Sequence, residues 1–243
     1  MLSKVLISAA GRGTRMLHLS KDRPKHLIEI NDRPFLFYLL KNLKEAGFND
    51  FILVVGYKKE MMDEFVKNYQ NEFLIKIINQ FEILGEKKLG TALPLECVKD
   101  IIGNENFLAV YGDNLYSVND LKALNIDDSY NYVAGLQHPY PEKYGVLIRD
   151  GEDFLEKIIE KPTTFVGNLI NTGLYKFTSE IFEKLPLITI SPRGEYELTD
   201  AITMLAKEKK VKIKEIKDFW LDFGKPEDVQ TISEFLINNA NRQ

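Results

Sequence analysis

With one cysteine in 243 residues, the chain cannot form an internal disulfide, which excludes the small cross-linked scaffolds of secreted domains. Cys97 lies in an apolar helical stretch, where a thiol packs as a small inert hydrophobe. Long hydrophobic runs are missing as well. Nothing approaches the roughly 18 apolar residues of a bilayer span, and Val5-Leu6-Ile7 is too short for a signal-peptide core. Positive charge is not in excess either: 32 Lys and Arg against 36 Asp and Glu leave −4, so no overall basic field calls for nucleic acid or a membrane. Affinity for an anion must come from a local cluster of cations. There is no Pro/Ser-rich linker, low-complexity tract or internal repeat, so the whole chain is expected to share one sheet. These absences describe a soluble, cytoplasmic protein with neither nucleic-acid nor membrane partners.

What is present is an ordinary globular composition, 44% hydrophobic and 28% charged, arranged in a βαβα rhythm. Lys4 to Ile7, Phe51 to Val55, Ile75 to Ile78 and Phe107 to Val110 read as buried strands. Between them, Arg33 to Ala46, Lys58 to Tyr69 and Ala92 to Ile102 read as helices, the first with Asp32 as N-cap and Gly47 as its stop. Near-continuous apolar strands alternating with helices indicate a parallel sheet covered on both faces. Beyond Asp113 the rhythm changes. Tyr132 to Gln137, Tyr144 to Arg149, Phe154 to Glu160 and Leu169 to Phe177 are strand-like, with Asp150-Gly151 as a hairpin turn. Helices at Ser179 to Leu185 and Tyr196 to Lys207, a strand at Val211 to Glu215 and a helix from Pro226 follow.

Ligands of open α/β sheets sit at the carboxyl ends of the strands, so residues just after apolar runs come first. After strand one comes Ala9-Ala10-Gly11-Arg12-Gly13-Thr14-Arg15, with Pro24-Lys25 further on. Glycines let backbone N–H groups face a phosphate, Thr14 adds a hydroxyl, and Arg15 and Lys25 add charge. A P-loop requires Gly-Lys-Ser/Thr where Gly13-Thr14-Arg15 stands, and a dinucleotide fingerprint requires a third glycine at Met16. Asp113 follows strand four, and Asp222 follows Phe219-Trp220-Leu221. A lone aspartate is most often a turn former, but two on separate strand ends suit Mg²⁺, which takes one or two carboxylates plus water and phosphate oxygens. Asp113-Asn114-Leu115 lacks the second acid of the DxD motif of many glycosyltransferases.

Ala-Ala-Gly-x-Gly-Thr-Arg-Met followed by Lys-Asp-Arg-Pro-Lys-x-Leu resembles the signature loop of the sugar-1-phosphate nucleotidylyltransferases. Further segments resemble the same family in order: Gly112-Asp113-Asn114, Tyr144-Gly145-Val146, Glu160-Lys161-Pro162, Asn171-Thr172-Gly173, Arg193-Gly194-Glu195 and Leu221-Asp222-Phe223-Gly224. Leu17-His18-Leu19-Ser20 departs from the usual Arg-Pro-Leu-Thr, Ser8 from an apolar residue, and Lys225 from a threonine.

The resemblance implies a three-layer α/β/α, Rossmann-like mixed but mostly parallel sheet of the nucleotide-diphospho-sugar transferase (GT-A-like) type. It implies a single nucleotidyltransferase domain over 1–243, with a nucleotide-binding half at 1–115, a sugar-phosphate half at 116–230 and a C-terminal helix at 226–243. No β-helix domain is expected. Implied nucleotide contacts are Ala10, Gly11, Gly13, Thr14, Arg15, Lys25, Gln80, Gly90, Thr91 and Asp113. Implied sugar-phosphate contacts are Gly145, Glu160, Lys161, Asn171 and Arg193, with Asp113 and Asp222 on Mg²⁺. Arg15, Lys25, Asp113, Lys161 and Asp222 form the implied catalytic set. Substrates would be a nucleoside triphosphate and a sugar 1-phosphate, UTP or dTTP with glucose 1-phosphate favoured. GTP with a mannose or heptose phosphate is the alternative; a silent nucleotide-sugar-binding regulatory subunit and a glycosyltransferase are more distant ones. Relatives of this kind are often dimers or tetramers, so a homo-oligomer is compatible. His18, His26 and His138 show no catalytic pattern and read as structural or surface residues, and Lys25 has Asp22 and Glu29 as nearby candidate partners.

Overall fold

The computed structural model describes residues 1–151 and 153–240. Strand β1 (Lys4–Ala9) shows how the layers arise. Val5, Ile7 and Ala9 belong to one apolar core while Leu6 belongs to another, because successive side chains leave a strand on opposite faces. β4 (Asp50–Val55) repeats the pattern: Phe51, Leu53 and Val55 join the first core, Ile52 and Val54 the second. A sheet buried on both sides explains why these runs are apolar without alternation.

Between β1 and β4 lie a small hairpin, β2 (Glu29–Ile30) and β3 (Arg33–Pro34), and helix α1 (Phe35–Glu45). Asp32 is therefore not an N-cap. Asn31 and Asp32 have φ of 49° and 65°, the left-handed pair of a two-residue hairpin turn, and Pro34 precedes the helix instead. Gly47, at φ 100°, ends the helical segment as expected, its N–H donating to Lys44 O at 3.0 Å. Next come α2 (Lys59–Asn68), β5 (Ile75–Asn79) and α3 (Gln80–Leu84). Asn79 caps α3 by accepting from Phe81 N at 3.0 Å, so Gln80 opens a helix rather than a loop. The expected helix from Ala92 to Ile102 is two short ones, α4 (Leu93–Glu96) and α5 (Lys99–Ile102). The break comes where Val98 N bonds back three residues, to Leu95 O, and leaves helical backbone angles.

The second half adds β6 (Phe107–Tyr111), β7 (Asn114–Tyr116), α6 (Val118–Ala123), β8 (Asn131–Gln137), β9 (Gly145–Arg149), β10 (Leu155–Glu160) and β11 (Leu169–Phe177). It closes with α7 (Ile181–Lys184), α8 (Leu198–Lys207), β12 (Val211–Glu215), β13 (Trp220–Asp222) and α9 (Glu227–Ala240). Strands from both halves share one nine-stranded sheet, ordered β10-β9-β11-β6-β1-β4-β5 with β8 on β11 and β12 on β8. β1, β4, β5 and β6 run together, β11 opposes β6, β8 and β9 oppose β11, and β12 follows β8. With β10 opposing β9, seven strands point one way and two the other: mixed, mostly parallel. Apart from it stands a two-stranded ribbon that pairs Asp222 with Asn114 and Trp220 with Tyr116. No helix among the described residues is long and apolar enough to cross a membrane.

Candidate active site

The loop after β1 turns at Gly13 (φ 65°), whose carbonyl accepts from Met16 N at 2.8 Å and from Ser20 Oγ at 2.7 Å. Met16 is fully buried and anchors the tight turns of Thr14–Ser20, within which Leu17 adopts φ 53° and ψ −125°. Gly13 serves packing: a Cβ there would stand 3.1 Å from Lys25 Cβ, so its bareness seats the lysine stem. Lys25 is buried on the short Lys25–Leu27 turn and pairs with Asp113 rather than with Asp22 or Glu29.

Asp113 follows β6, and Phe223 N donates to its carbonyl at 2.8 Å, bringing Asp222 alongside across the ribbon. Burial alone would push the Asp113 carboxyl up, but the Lys25 ammonium outweighs it and holds the carboxyl below its ordinary range. Asp222 has no such partner among the described residues. Burial, then the Asp113 charge, push it up to about 6 against the pull of Lys25 and Arg15. The folded state thus holds a proton on Asp222 longer than the unfolded chain does, so stability falls as pH rises from about 4 to about 6 and the penalty persists above. Asp222→Asn is expected to raise Tm at pH 8 by on the order of a few °C and to leave it unchanged below pH 4, which thermal unfolding at both pH values measures. An equal gain at both would remove the electrostatic cause.

His26 is buried and neutral, its pKa lowered to about 3 by burial and then by Lys25, and its Nδ1 has no partner among the described residues. It is not a surface residue.

Two cavities adjoin here and share Arg15, Thr91, Tyr111 and Asp113. The larger, about 370 Å³, is lined by Ala10, Gly11, Lys25, His26, Gln80 and Gly90. Gln80 is 5% exposed, so it is not a surface loop residue, and its Oε1 lacks a donor among the described residues. Gly90 (φ 140°) lies against the Tyr196 backbone, where a Cβ would come within 2.2 Å of the carbonyl oxygen. Thr91 Oγ1 accepts from Leu198 N at 2.9 Å, capping α8.

The smaller cavity, about 190 Å³, is lined by Gly145, Glu160, Lys161, Asn171, Arg193 and Asp222. Gly145 faces Glu160 in register, and a Cβ on it would sit 2.8 Å from Glu160 Oε2. Lys161, at φ 43°, is exposed and makes no ion pair among the described residues, and neither does Arg15. Arg193 is engaged by Glu160 at 3.2 Å, Glu195 at 3.3 Å and Glu197 at 3.6 Å. Asn171 sits where β11 shifts register against β8, and Trp220 Nε1 and Tyr116 hydroxyl both hold the Thr172 carbonyl, at 3.1 and 2.8 Å.

All the sequence-derived site residues except two line these cavities. Gly13 lies beneath Lys25, and Thr14 lines a separate surface groove with Arg12, Leu17 and Tyr57. Sequence reasoning passed over Tyr111, Asn114, Lys143, Tyr144 and Trp220, although all but Tyr111 and Lys143 fall within segments already singled out; their aromatic or amide character was the available signal.

The family model described as Nucleotidyl transferase matches residues 4–239. The chain belongs to the nucleotidyl transferase family. It is 35% identical over 239 residues to a bifunctional sugar-1-phosphate nucleotidylyltransferase/acetyltransferase of Sulfurisphaera tokodaii, covering 97% of this chain and 56% of that protein. A mannose-1-phosphate guanyltransferase of Saccharomyces cerevisiae is 32% identical, with 99% and 66% covered. The chain spans about half the length of the first curated relatives it matches. Among solved structures, a UDP-glucose pyrophosphorylase complexed with UDP-glucose superposes with TM-score 0.84 at 25% identity, over 98% of this chain and 100% of that one. Membership of this family and its α/β sheet are what the loop signature and strand rhythm led us to expect.

Proposed function

We propose that the chain joins a nucleoside triphosphate to a sugar 1-phosphate, forming a nucleotide sugar and pyrophosphate. The observation that carries this reading is the meeting of two cavities at Asp113, beside two cations, Arg15 and Lys161, that make no ion pair among the described residues. Two unit charges 4 Å apart repel by about 4 kcal/mol at an effective dielectric of 20, and the two phosphates bring more than one charge each. Arg15 faces both cavities and Lys161 the smaller one; Lys25 adds charge at the carboxylates. Residues 1–115 build most of the nucleotide side and 116–230 most of the sugar side.

Asp113 and Asp222 fit a divalent ion. They are two neighbouring carboxylates of which only one has a lysine, and the charge of one raises the pKa of the other. When bound there, Mg²⁺ neutralises charge on the triphosphate oxygens. Arg15 and Lys25 orient the triphosphate, and Lys161 holds the sugar phosphate. An oxygen of that phosphate attacks the α-phosphorus in line, and the bond to the β-phosphate oxygen breaks to release pyrophosphate. A phosphate monoester has its second pKa near 6, so the nucleophile is already ionised at pH 7 and no general base is required. Arg193, held by three carboxylates, is assigned to positioning Glu160 for the sugar hydroxyls until phosphate arrives.

UTP or dTTP with glucose 1-phosphate is the favoured pair. The buried Gln80 Oε1 lacks a donor that uracil or thymine N3–H would supply, and the superposed UDP-glucose pyrophosphorylase supports it. Guanine also offers such a donor, and the yeast guanyltransferase relative favours GTP with mannose 1-phosphate as the second reading. A matrix of triphosphates against sugar phosphates with Mg²⁺, read as pyrophosphate release, tests both. The highest rate is expected for UTP or dTTP with glucose 1-phosphate. A maximum at GTP with mannose 1-phosphate selects the second reading, and silence throughout with retained nucleotide-sugar binding points to a regulatory subunit.

A further inference from the structure

His138 stands just after β8, fixed by both its backbone and its ring. Its N–H donates to Asn168 O at 2.8 Å. Its Nδ1 accepts from Tyr140 N–H at 3.1 Å, which closes a turn and sets the way the imidazole faces. The ring so held meets Tyr144 at 5.0 Å and Trp220 at 6.4 Å between centroids, with interplanar angles of 72° and 86°. Tyr144 and Trp220 meet each other at 5.5 Å and 77°. Each pair of these three rings is nearly perpendicular, the edge-to-face arrangement that aromatic quadrupoles favour. Tyr144 and Trp220 line the smaller cavity, and His138 backs them from outside it. Trp220 has a tether of its own, Nε1 on the Thr172 carbonyl. Tyr144 has none: among the described residues its hydroxyl makes no hydrogen bond, and its ring partners are His138 and Trp220. Yet the Tyr144 carbonyl accepts from Lys161 N at 3.0 Å, so the place of Tyr144 bears on that of Lys161.

Resting on the function proposed above, we infer that His138 is a positioning residue for the sugar side of the site. Its ring is the brace that keeps Tyr144 against Trp220, and it thereby sets the aromatic corner beside which the sugar phosphate must fit. The rival role is the turn alone, in which Nδ1 serves Tyr140 N–H and the ring is incidental.

Two substitutions in the full chain separate these roles. His138→Asn removes the ring but keeps an oxygen that can close the same turn onto the residue two ahead. His138→Phe keeps a ring and removes the acceptor. Trp220 is the one tryptophan in the chain, so its near-ultraviolet circular dichroism reads the corner without any ligand. His138→Asn is expected to flatten the Trp220 band, and His138→Phe to retain it. Pyrophosphate release is then followed with whichever substrate pair the wild type turns over. His138→Asn should raise the sugar-phosphate KM about fivefold while kcat and the triphosphate KM stay within about twofold, and His138→Phe should restore it. His138→Leu, bulky but not aromatic, carries the test if His138→Asn does not fold. His138→Asn matching the wild type, His138→Phe as impaired as His138→Asn, or both substrate KM values raised equally overturns the brace. A wild type that releases no pyrophosphate with any pair overturns the functional reading instead, and the ligand-free Trp220 band still decides whether His138 holds the corner.

Discussion

Lys25→Ala is expected to lower turnover by about 10²–10³ and to destabilise the fold at the same time. The first effect follows, in the proposed reaction, from losing a fixed cation at the site assigned to the triphosphate. The second follows from the Asp113 carboxylate, which would remain largely buried, with Asp222 beside it and no lysine. Breaking a fully buried ion pair costs about 3–5 kcal/mol. The Lys25 and Asp113 side chains are 11% and 20% exposed, so water screens part of that and the loss should fall toward the lower end. Because the pair holds the Asp113 carboxyl low, its contribution is present above the ordinary carboxylate pKa and disappears as acid protonates the group. Urea unfolding at pH 7.5 and at pH 2.5, below the ordinary carboxylate range, should therefore show a large deficit shrinking to a small one. In an Asp113→Asn background Lys25→Ala should cost far less stability, while pyrophosphate release stays low. A rate loss without any stability loss would mean that Asp113 finds another partner.

Gly90→Ala should be the most damaging single methyl in the chain. Added at φ 140°, that carbon would stand 2.2 Å from Tyr196 O, 2.3 Å from its nitrogen and 2.7 Å from its carbonyl carbon. These are backbone atoms held by two hydrogen bonds, Tyr196 N to Leu89 O at 2.9 Å and Ala92 N to Tyr196 O at 3.0 Å. No rotamer change relieves such a clash, so the clasp between the two halves must open. A loss of roughly 3 kcal/mol or more is expected, read as a lowered urea midpoint and poor soluble yield. Gly11→Ala is the control: a Cβ there meets nothing within 4 Å and the backbone is not left-handed, so stability should hold while nucleotide binding suffers. A Gly90→Ala protein within about 1 kcal/mol of wild type would show that the clasp is dispensable.

The strands were legible because a sheet buried on both faces forces uninterrupted apolar runs, and β1 and β4 carry them. The glycine at 47 was legible for a similarly local reason, a required positive φ. Asn31-Asp32 misled because both residues suit a helix cap and a left-handed turn equally, and only the pairing of Ile30 with Arg33 decides between them. Proximity in space was beyond reach of local reading. Nothing in the order of residues says that Arg193 will meet Glu160, that Gly13 will serve the stem of Lys25, or that the Tyr111 and Tyr175 hydroxyls will meet. Such contacts depend on loops returning across the sheet.

The ribbon that sets Asp222 against Asn114 joins positions more than 100 residues apart. During synthesis, the first carboxylate and its lysine are in place long before the second can arrive. A ribosome-bound chain that has not yet emerged to β13 lacks half of the proposed metal-holding pair. Onset of turnover would thus report that the late segment has docked, making the strand pairing of Trp220 to Asp222 a checkpoint on maturation that a kinetic refolding assay could time.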